Sequence, residues 1–262
     1  MLKVWLQGGR TEQGYRDMWD QSMDGLHEFL LHRSLPGGLH YIADLVDDLE
    51  NQQNVVHHKM DHLVCFLGGA MALGAYTDPR GLFSKEAQRD LKTGKALAYT
   101  CYQMYARMFT GIAPEFVNFN EGGHDFVAPA TGKHYLLRPE TVETLYILYS
   151  LTGDKTYQEW GWEIFMAIES NCRTSVGYGS LSDVNSFFQT PMDRMESFFL
   201  AETLKYLYLL FDPDSNIDLL GRHVFNTEAH PLRIFPALKS ENETCYNDEN
   251  DIEDKNCQAE SK

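Results

Sequence analysis

The sequence predicts an all-α protein whose antiparallel helix pairs form one arc of a larger ring. Apolar residues make up 43% of the 262 positions. They recur mostly at steps of three and four, the spacing of one helix face. Several predicted helices are apolar on more of their surface than a six-helix bundle would bury. The chain also begins at once in sequence typical of a packed core, so we expect further helices beside it.

Six helices are predicted, separated by segments rich in glycine, proline or polar residues. The first covers residues 11–33 and ends before Pro36-Gly37-Gly38. A β-hairpin arm at 39–46 and a polar loop at 47–58 follow. The other helices are predicted over 60–76, 84–109, 137–153, 154–172 and 192–211, with a Gly/Ser loop at 177–188 and a strand–turn segment at 224–235.

Local signals support several of these boundaries. Ser84 is a typical N-cap residue. Pro139 falls in the first turn of its helix, where proline is tolerated and where acidic residues are favoured. Gly153 ends that helix. Small residues between 68 and 75 would allow the second helix to approach its neighbours closely.

The charge balance argues against nucleic-acid binding. The chain carries 22 Lys and Arg against 38 Asp and Glu, a formal charge of −16, and such a surface repels phosphate backbones. It suits hydroxyl-rich or cationic ligands. Residues 239–262 hold eight acids and three lysines, so the rest of the chain is near −11. We expect this acidic tail, residues 236–262, to be disordered.

The literal reading of the sequence is a soluble cytosolic chain. No stretch has the length of uncharged apolar sequence that a membrane span needs, and residues 1–10 do not resemble a signal peptide. The five cysteines contain no C-x₂-C pair to hold a metal, so buried thiols are favoured on residue type alone.

Four acids in apolar surroundings are the candidates for chemistry. Glu140 and Glu143 lie one turn apart at a predicted helix start, while Glu196 and Glu228 lie among large apolar residues. Ordinary ion pairing explains any one of them equally well, but four together favour a functional site. The helix dipole and Arg138 would keep Glu140 ionised, as a general base requires. Paired carboxylates with water between them are typical of inverting glycosidases.

Long motifs around these acids carry a family resemblance. They are KMDHLVCF at 59–66, CYQM at 101–104, LRPETVE at 137–143, WGWE at 160–163, MESFFLAETLKY at 195–206 and VFNTEAHP at 224–231. In this order they closely resemble class I α-1,2-mannosidases, glycoside hydrolase family 47. The resemblance covers residues 2–235 and leaves the tail outside.

The resemblance implies a fold, an activity and a compartment. It implies the C-terminal part of an (α/α)7 barrel, with a small β-hairpin as plug, over residues 1–235. It also implies an inverting, Ca²⁺-dependent enzyme that trims α-1,2-linked mannose from high-mannose N-glycans on glycoproteins. The expected compartment is the lumen of the endoplasmic reticulum or Golgi, with any membrane anchor lying before this chain.

The resemblance also implies roles for individual residues. Glu140 matches the general base, and Thr227 matches the direct calcium ligand through its hydroxyl and carbonyl oxygens. Arg138, His62 and Phe198 match residues of the substrate pocket. The acids that match holders of calcium-bound water or sugar hydroxyls are Glu115, Glu143, Glu196 and Glu228.

Cysteine pairing follows from the same resemblance. Cys65 and Cys101 match the disulfide pair of the family, which places the protein in the secretory pathway. Cys172, Cys245 and Cys257 have no match. The sequon at Asn242 in the tail agrees with a luminal location.

One departure from the family leaves two functions open. The general acid and a second catalytic aspartate lie in the family's N-terminal portion and have no counterpart here, so we expect this chain by itself to be an inactive fragment. The first reading is an α-1,2-mannosidase. The alternative is a non-hydrolytic glycan-binding protein of quality control, like the degradation-enhancing mannosidase-like proteins.

Overall fold

Helices dominate the described parts of the chain, residues 1–48, 53–186 and 188–236 of a computed structural model. The α-helices are α1 (Leu2–Gln7), α2 (Gln13–Gly25), α3 (Phe66–Tyr76), α4 (Lys85–Ala106), α5 (Glu140–Thr152), α6 (Thr156–Cys172) and α7 (Lys205–Phe211). A π-helical turn, Leu26–Leu30, extends α2, and another, Phe199–Leu204, leads into α7. A 3₁₀ turn, His62–Cys65, leads into α3. None of the helices described is long and apolar enough to cross a membrane.

Short strands form four small antiparallel sheets within the described residues. The strands are β1 (Leu31–Arg33), β2 (His40–Ile42), β3 (Asp44–Asp48), β4 (Gln53–His57), β5 (Lys59–Asp61), β6 (Phe116–Phe119), β7 (Phe126–Val127), β8 (His223–Phe225) and β9 (Pro231–Arg233). The pairs are β1–β2, β3–β4 and β8–β9, with β5–β6–β7 as a three-stranded sheet. The fold is therefore mostly α, but it contains more strands than the hairpin arm at 39–46 and the strand–turn segment at 224–235 that the sequence predicts.

Both ends of α5 carry residues that are typical of helix ends. Pro139 lies directly before the helix, and Glu140 and Glu143 occupy its first turn, where acids favour the helix dipole. Gly153 ends the helix with φ 69°, a left-handed conformation that glycine adopts without strain. The predicted N-cap of α4 is also confirmed, since the Ser84 hydroxyl accepts a hydrogen bond from the amide of Ala87.

Small residues let α3 pack closely against both α4 and α5. A Cβ atom on Gly68 would lie 2.8 Å from Cγ2 of Thr144, and one on Gly94 would lie 2.7 Å from the Gly68 carbonyl oxygen. The Thr144 hydroxyl accepts from the amide of Gly69 at 2.8 Å and donates to the carbonyl of Cys65 at 2.6 Å. These contacts hold the first turns of α5 beside the 3₁₀ turn that carries His62.

A disulfide between Cys65 and Cys101 joins that 3₁₀ turn to α4. Their Cα atoms lie 5.9 Å apart, within the range that a disulfide spans. The pairing implied by the family resemblance is confirmed. Cys172 is a buried free thiol, and burial raises its pKa to about 12. Cys245, Cys257, Asn242 and the tail predicted to be disordered lie outside the described residues, apart from Pro236.

Several predicted element ends are wrong because strand pairing intervenes. The first helix stops at Leu30, since 31–33 pair with 40–42. The second begins at 62 rather than 60, because 59–61 pair with 116–118. The third helix ends at 106 rather than 109, and the last begins at about 197 rather than 192.

The strand predictions also change. The predicted loop at 47–58 contains β4, which pairs with β3, and the arm at 39–46 is divided between two hairpins. The strand–turn segment at 224–235 is confirmed as the β8–β9 hairpin.

Candidate active site

A cavity of about 340 Å³ opens between the start of α5 and the β8–β9 hairpin. Its lining comes from five separate segments of the chain and contains both carboxylates and apolar side chains. The lining residues are Lys3, Leu63, Phe66, Pro139, Glu140, Glu143, Glu202 and Thr227. Three of the residues predicted for the site, Glu140, Glu143 and Thr227, therefore share one cavity.

Glu140 is a mostly buried carboxylate that is hydrogen-bonded to His62. Its Oε2 lies 2.9 Å from Nδ1 of His62, on the 3₁₀ turn before α3. Burial alone would raise the pKa of Glu140, but the hydrogen bond from His62 and the amide at the helix start outweigh it. They hold that pKa below its usual value. Glu140 is therefore ionised at neutral pH and able to accept a proton.

The pKa values of the other two acids of the cavity, Glu143 and Glu202, are shifted in the opposite direction, upward. Burial raises the pKa of Glu143 despite an ion pair with Lys3, whose Nζ lies 3.2 Å from Oε1. Burial, with the charges of Glu228, Glu143 and Glu140, raises the pKa of Glu202 to about 7. The acids of the cavity disfavour one another's ionisation, and a cation bound there would offset this repulsion.

Thr227 reaches the cavity from the turn of the β8–β9 hairpin. The side chain of Asn226 shapes this turn, since its Oδ1 accepts from the amides of Glu228 at 3.1 Å and His230 at 2.8 Å. Ala229 has φ 52°, which completes the tight turn. Thr227 and the neighbouring acids offer only oxygen donors, the donor type that calcium prefers.

The donor set fits a calcium ion that takes most of its ligands from water. Among the described residues, no three His, Cys, Asp or Glu side chains converge closely enough to hold a metal directly. Thr227 lines the same cavity as Glu140, Glu143 and Glu202. A hard cation there would reach these carboxylates through bound water and offset their mutual repulsion.

Arg138 and Phe198 form a polar and aromatic corner near the start of α5. Nε of Arg138 lies 2.9 and 2.8 Å from the two carboxylate oxygens of Glu115, and the guanidinium lies 5.8 Å from the Phe198 ring centroid. Glu115 is thus paired with Arg138 and is not part of the cavity lining. A planar cation held in this way over an aromatic ring is suited to orienting a sugar ring.

The remaining predicted site residues lie away from the cavity wall. The Glu196 side chain pairs with Arg194, and Glu228 is exposed beside the hairpin turn. Glu228 still acts on the site through its charge, which raises the pKa of Glu202. His62 is buried with both ring nitrogens in hydrogen bonds, so it contacts Glu140 rather than the open cavity.

Sequence reasoning missed Lys3 and Glu202, which both line the cavity. Lys3 has no local signal, because its position depends on α1 packing against α2 and β8. Glu202 lies six residues after Glu196 in the same apolar run, and the π-helical turn at Phe199–Leu204 faces it toward the cavity. Its sequence signal was as strong as that of Glu196, namely an acid between buried apolar neighbours.

Comparison with known proteins places these residues in a family. The model of glycosyl hydrolase family 47 matches residues 1–234. The chain belongs to glycosyl hydrolase family 47. Within this family it is 44% identical over 234 residues to mannosyl-oligosaccharide alpha-1,2-mannosidase IA of Drosophila melanogaster, covering 89% of this chain and 33% of that protein. It is 43% identical over 241 residues to the human endoplasmic reticulum mannosyl-oligosaccharide 1,2-alpha-mannosidase, covering 90% of this chain and 33% of that protein.

A solved structure agrees with the family match. The alpha-1,2-mannosidase from Trichoderma reesei superposes with a TM-score of 0.76 at 30% identity, over 89% of this chain and 50% of that chain. This chain therefore spans about a third of the two curated family 47 relatives above and half of the solved one.

Proposed function

We propose that this chain supplies the C-terminal part of the catalytic domain of an inverting, calcium-dependent 1,2-α-mannosidase. The observation that carries the proposal is the cavity at the start of α5. There Glu140 is kept ionised by His62, while acids and Thr227 surround the same space. Family 47 relatives named as mannosidases support the reaction class.

In this proposal Glu140 takes a proton from the attacking water. An ionised carboxylate at a helix start is suited to this role because the His62 contact fixes one oxygen and leaves the other for water. Inversion requires space for that water between base and sugar, and the cavity of about 340 Å³ provides it. We assign the general acid to a part of the whole protein other than this chain.

Calcium dependence is the second part of the proposal. Thr227 would hold the ion directly, while Glu143 and Glu202, with Glu228 at the edge, would hold its water ligands. Bound calcium would orient water and sugar hydroxyls through its oxygen coordination. The excess of carboxylates over Lys3 in this cavity supports the assignment.

The proposed substrate is the α-1,2-linked mannose of high-mannose N-glycans, met in the secretory pathway. The names of the family 47 relatives, which include endoplasmic reticulum enzymes, support the substrate and the compartment. The disulfide between Cys65 and Cys101 supports an oxidising compartment independently, since such bonds are rare in the cytosol.

We further propose that the helices form one arc of an (α/α)7 barrel. An apolar groove of about 470 Å³ lies between α6 and α7, lined by Trp162, Phe165, Leu204 and Tyr208 among others. Trp162 and Tyr208 remain 51% and 69% exposed. Further helices of the same domain would bury this face. The match to the solved relative supports this, because it covers only 50% of that chain.

Mannose release by the whole protein that carries this chain tests the proposal. We expect release from a high-mannose N-glycan, loss of activity with a calcium chelator, and recovery when calcium is restored. Glu140→Gln should lower kcat by roughly 10²- to 10⁴-fold with the fold intact, because the general base is lost. Glu159→Gln, an exposed site on α6, is the matched control. Glycan binding without any hydrolysis would instead support the quality-control alternative.

A further inference from the structure

Both ring nitrogens of His62 are engaged inside the protein. Nδ1 lies 2.9 Å from Oε2 of Glu140, while Nε2 lies 2.9 Å from the Tyr105 hydroxyl and 3.1 Å from the Thr141 hydroxyl. His62 and Tyr105 are each 1% exposed, and Thr141 is fully buried. The three buried groups therefore contact no bulk water, and Glu140 links them to the cavity.

The direction of these hydrogen bonds follows from the chemistry of the groups. An ionised carboxylate only accepts, so Nδ1 of His62 must carry the proton that bonds Glu140. In a neutral imidazole Nε2 then has a lone pair and needs a donor. The Tyr105 hydroxyl is a suitable donor, because burial raises its pKa and keeps it protonated.

We propose that Tyr105 is a positioning residue for the general base. Its hydroxyl donates to Nε2 of His62, holds the ring that carries hydrogen on Nδ1 in place, and so keeps the Glu140 carboxylate in one orientation. The inference rests on the proposed function, since it concerns the residue assigned there as base. Tyr105 lies near the end of α4, with its ring 5.7 Å from the His62 ring in an edge-on contact.

Tyr105 is held rigidly enough for this role. Its ring also meets Tyr135 edge-on at 6.3 Å, and the disulfide at Cys101, one turn earlier on α4, ties this helix to the 3₁₀ turn of His62. The helix that carries the donor and the turn that carries the imidazole are thus joined by a disulfide as well as by packing. Thr141, at the longer distance, is a secondary donor.

The tautomer of His62 is measurable directly. In the whole protein labelled with ¹⁵N-histidine, nitrogen shifts separate a protonated from an unprotonated ring nitrogen, and His62 is identified by the signal lost in His62→Gln. We expect Nδ1 protonated and Nε2 unprotonated at neutral pH. In Tyr105→Phe, where Glu140 still accepts from Nδ1, the Nε2 shift should change because that nitrogen loses its hydrogen-bond donor. Tyr157→Phe, which removes a hydroxyl from another core tyrosine, should leave the His62 shifts unchanged.

Kinetics of the same variants give a second readout. A misoriented base affects the chemical step, so Tyr105→Phe should lower kcat by about 10- to 100-fold while KM changes less than about twofold. Tyr157→Phe should match the wild type. The proposal is overturned if wild-type His62 carries hydrogen on Nε2, or if Tyr105→Phe leaves both the shifts and kcat unchanged. If the wild-type protein releases no mannose, the proposed function fails, yet the nitrogen shifts still decide the role of Tyr105.

Discussion

Two glutamates of one cavity show how local surroundings decide the charge of a carboxyl group. The hydrogen bond from His62 keeps the pKa of Glu140 below its usual value, although the group is mostly buried. Glu202 has no such donor, and burial with three acidic neighbours raises its pKa to about 7. At neutral pH Glu140 is thus ionised, while Glu202 is protonated about half of the time until a cation compensates its charge.

This difference predicts a pH dependence of stability in protein stripped of divalent cations. A carboxyl whose pKa is raised from 4.5 to about 7 binds a proton in the folded state that the unfolded chain has released. The free energy of unfolding should therefore fall as pH rises through that interval. Urea unfolding should show a shallower fall in Glu202→Gln, whereas the exposed control Glu159→Gln should keep the wild-type slope. Equal slopes in all three proteins would contradict the assignment.

The sequence predicted Glu140 but missed Glu202 for a physical reason. The signals at Glu140 are local, because Pro139 and the acids of a first helical turn mark a helix start within a few residues. Glu202 faces the cavity because it lies on a π-helical turn, and its pKa is raised by acids of α5 and of the β8–β9 hairpin. Neither feature is visible in the local sequence. Glu196 lies in the same apolar run as Glu202, yet in the structure it forms an ion pair with Arg194.

Among the elements, the link between the 3₁₀ turn and α4 controls the geometry around His62. The disulfide of Cys65 and Cys101 joins residues 36 positions apart. A loop of that length corresponds to roughly 3–4 kcal/mol in the chain-entropy model. We expect Cys65→Ser with Cys101→Ser to lower the free energy of unfolding by about this amount in denaturant titrations. Cys172→Ala changes a buried thiol without breaking a bond and should cost far less; an equal loss would contradict the account.

Helix positions were predictable from periodicity, whereas short strands were not. Strands of two to five residues, such as β7 and β4, are too short for an alternating pattern, and their partners are distant in sequence. The strand at Leu31–Arg33 continues an apolar helical pattern and leaves the helix only because 40–42 pairs with it. Boundaries marked by caps, at Ser84 and Gly153, were predicted correctly.

For the whole molecule, calcium binding at the cavity has a thermodynamic consequence. A cation that binds the folded cavity stabilises it by about 2.7 kcal/mol at a hundredfold excess over Kd. We expect calcium to raise the Tm of the whole protein, and Thr227→Ala to diminish that rise because the hydroxyl ligand is lost. Thr131→Ala, at an exposed loop position, should respond to calcium as the wild type does. An undiminished rise in Thr227→Ala would remove Thr227 from the calcium site.

The configuration of the mannose first released tests the central claim most directly. If Glu140 activates water on the face opposite the leaving group, proton NMR of the whole protein acting on a high-mannose N-glycan should show β-mannose first, before mutarotation. Release of α-mannose as the first product would mean retention, and would contradict the assignment of Glu140 as the base of an inverting reaction.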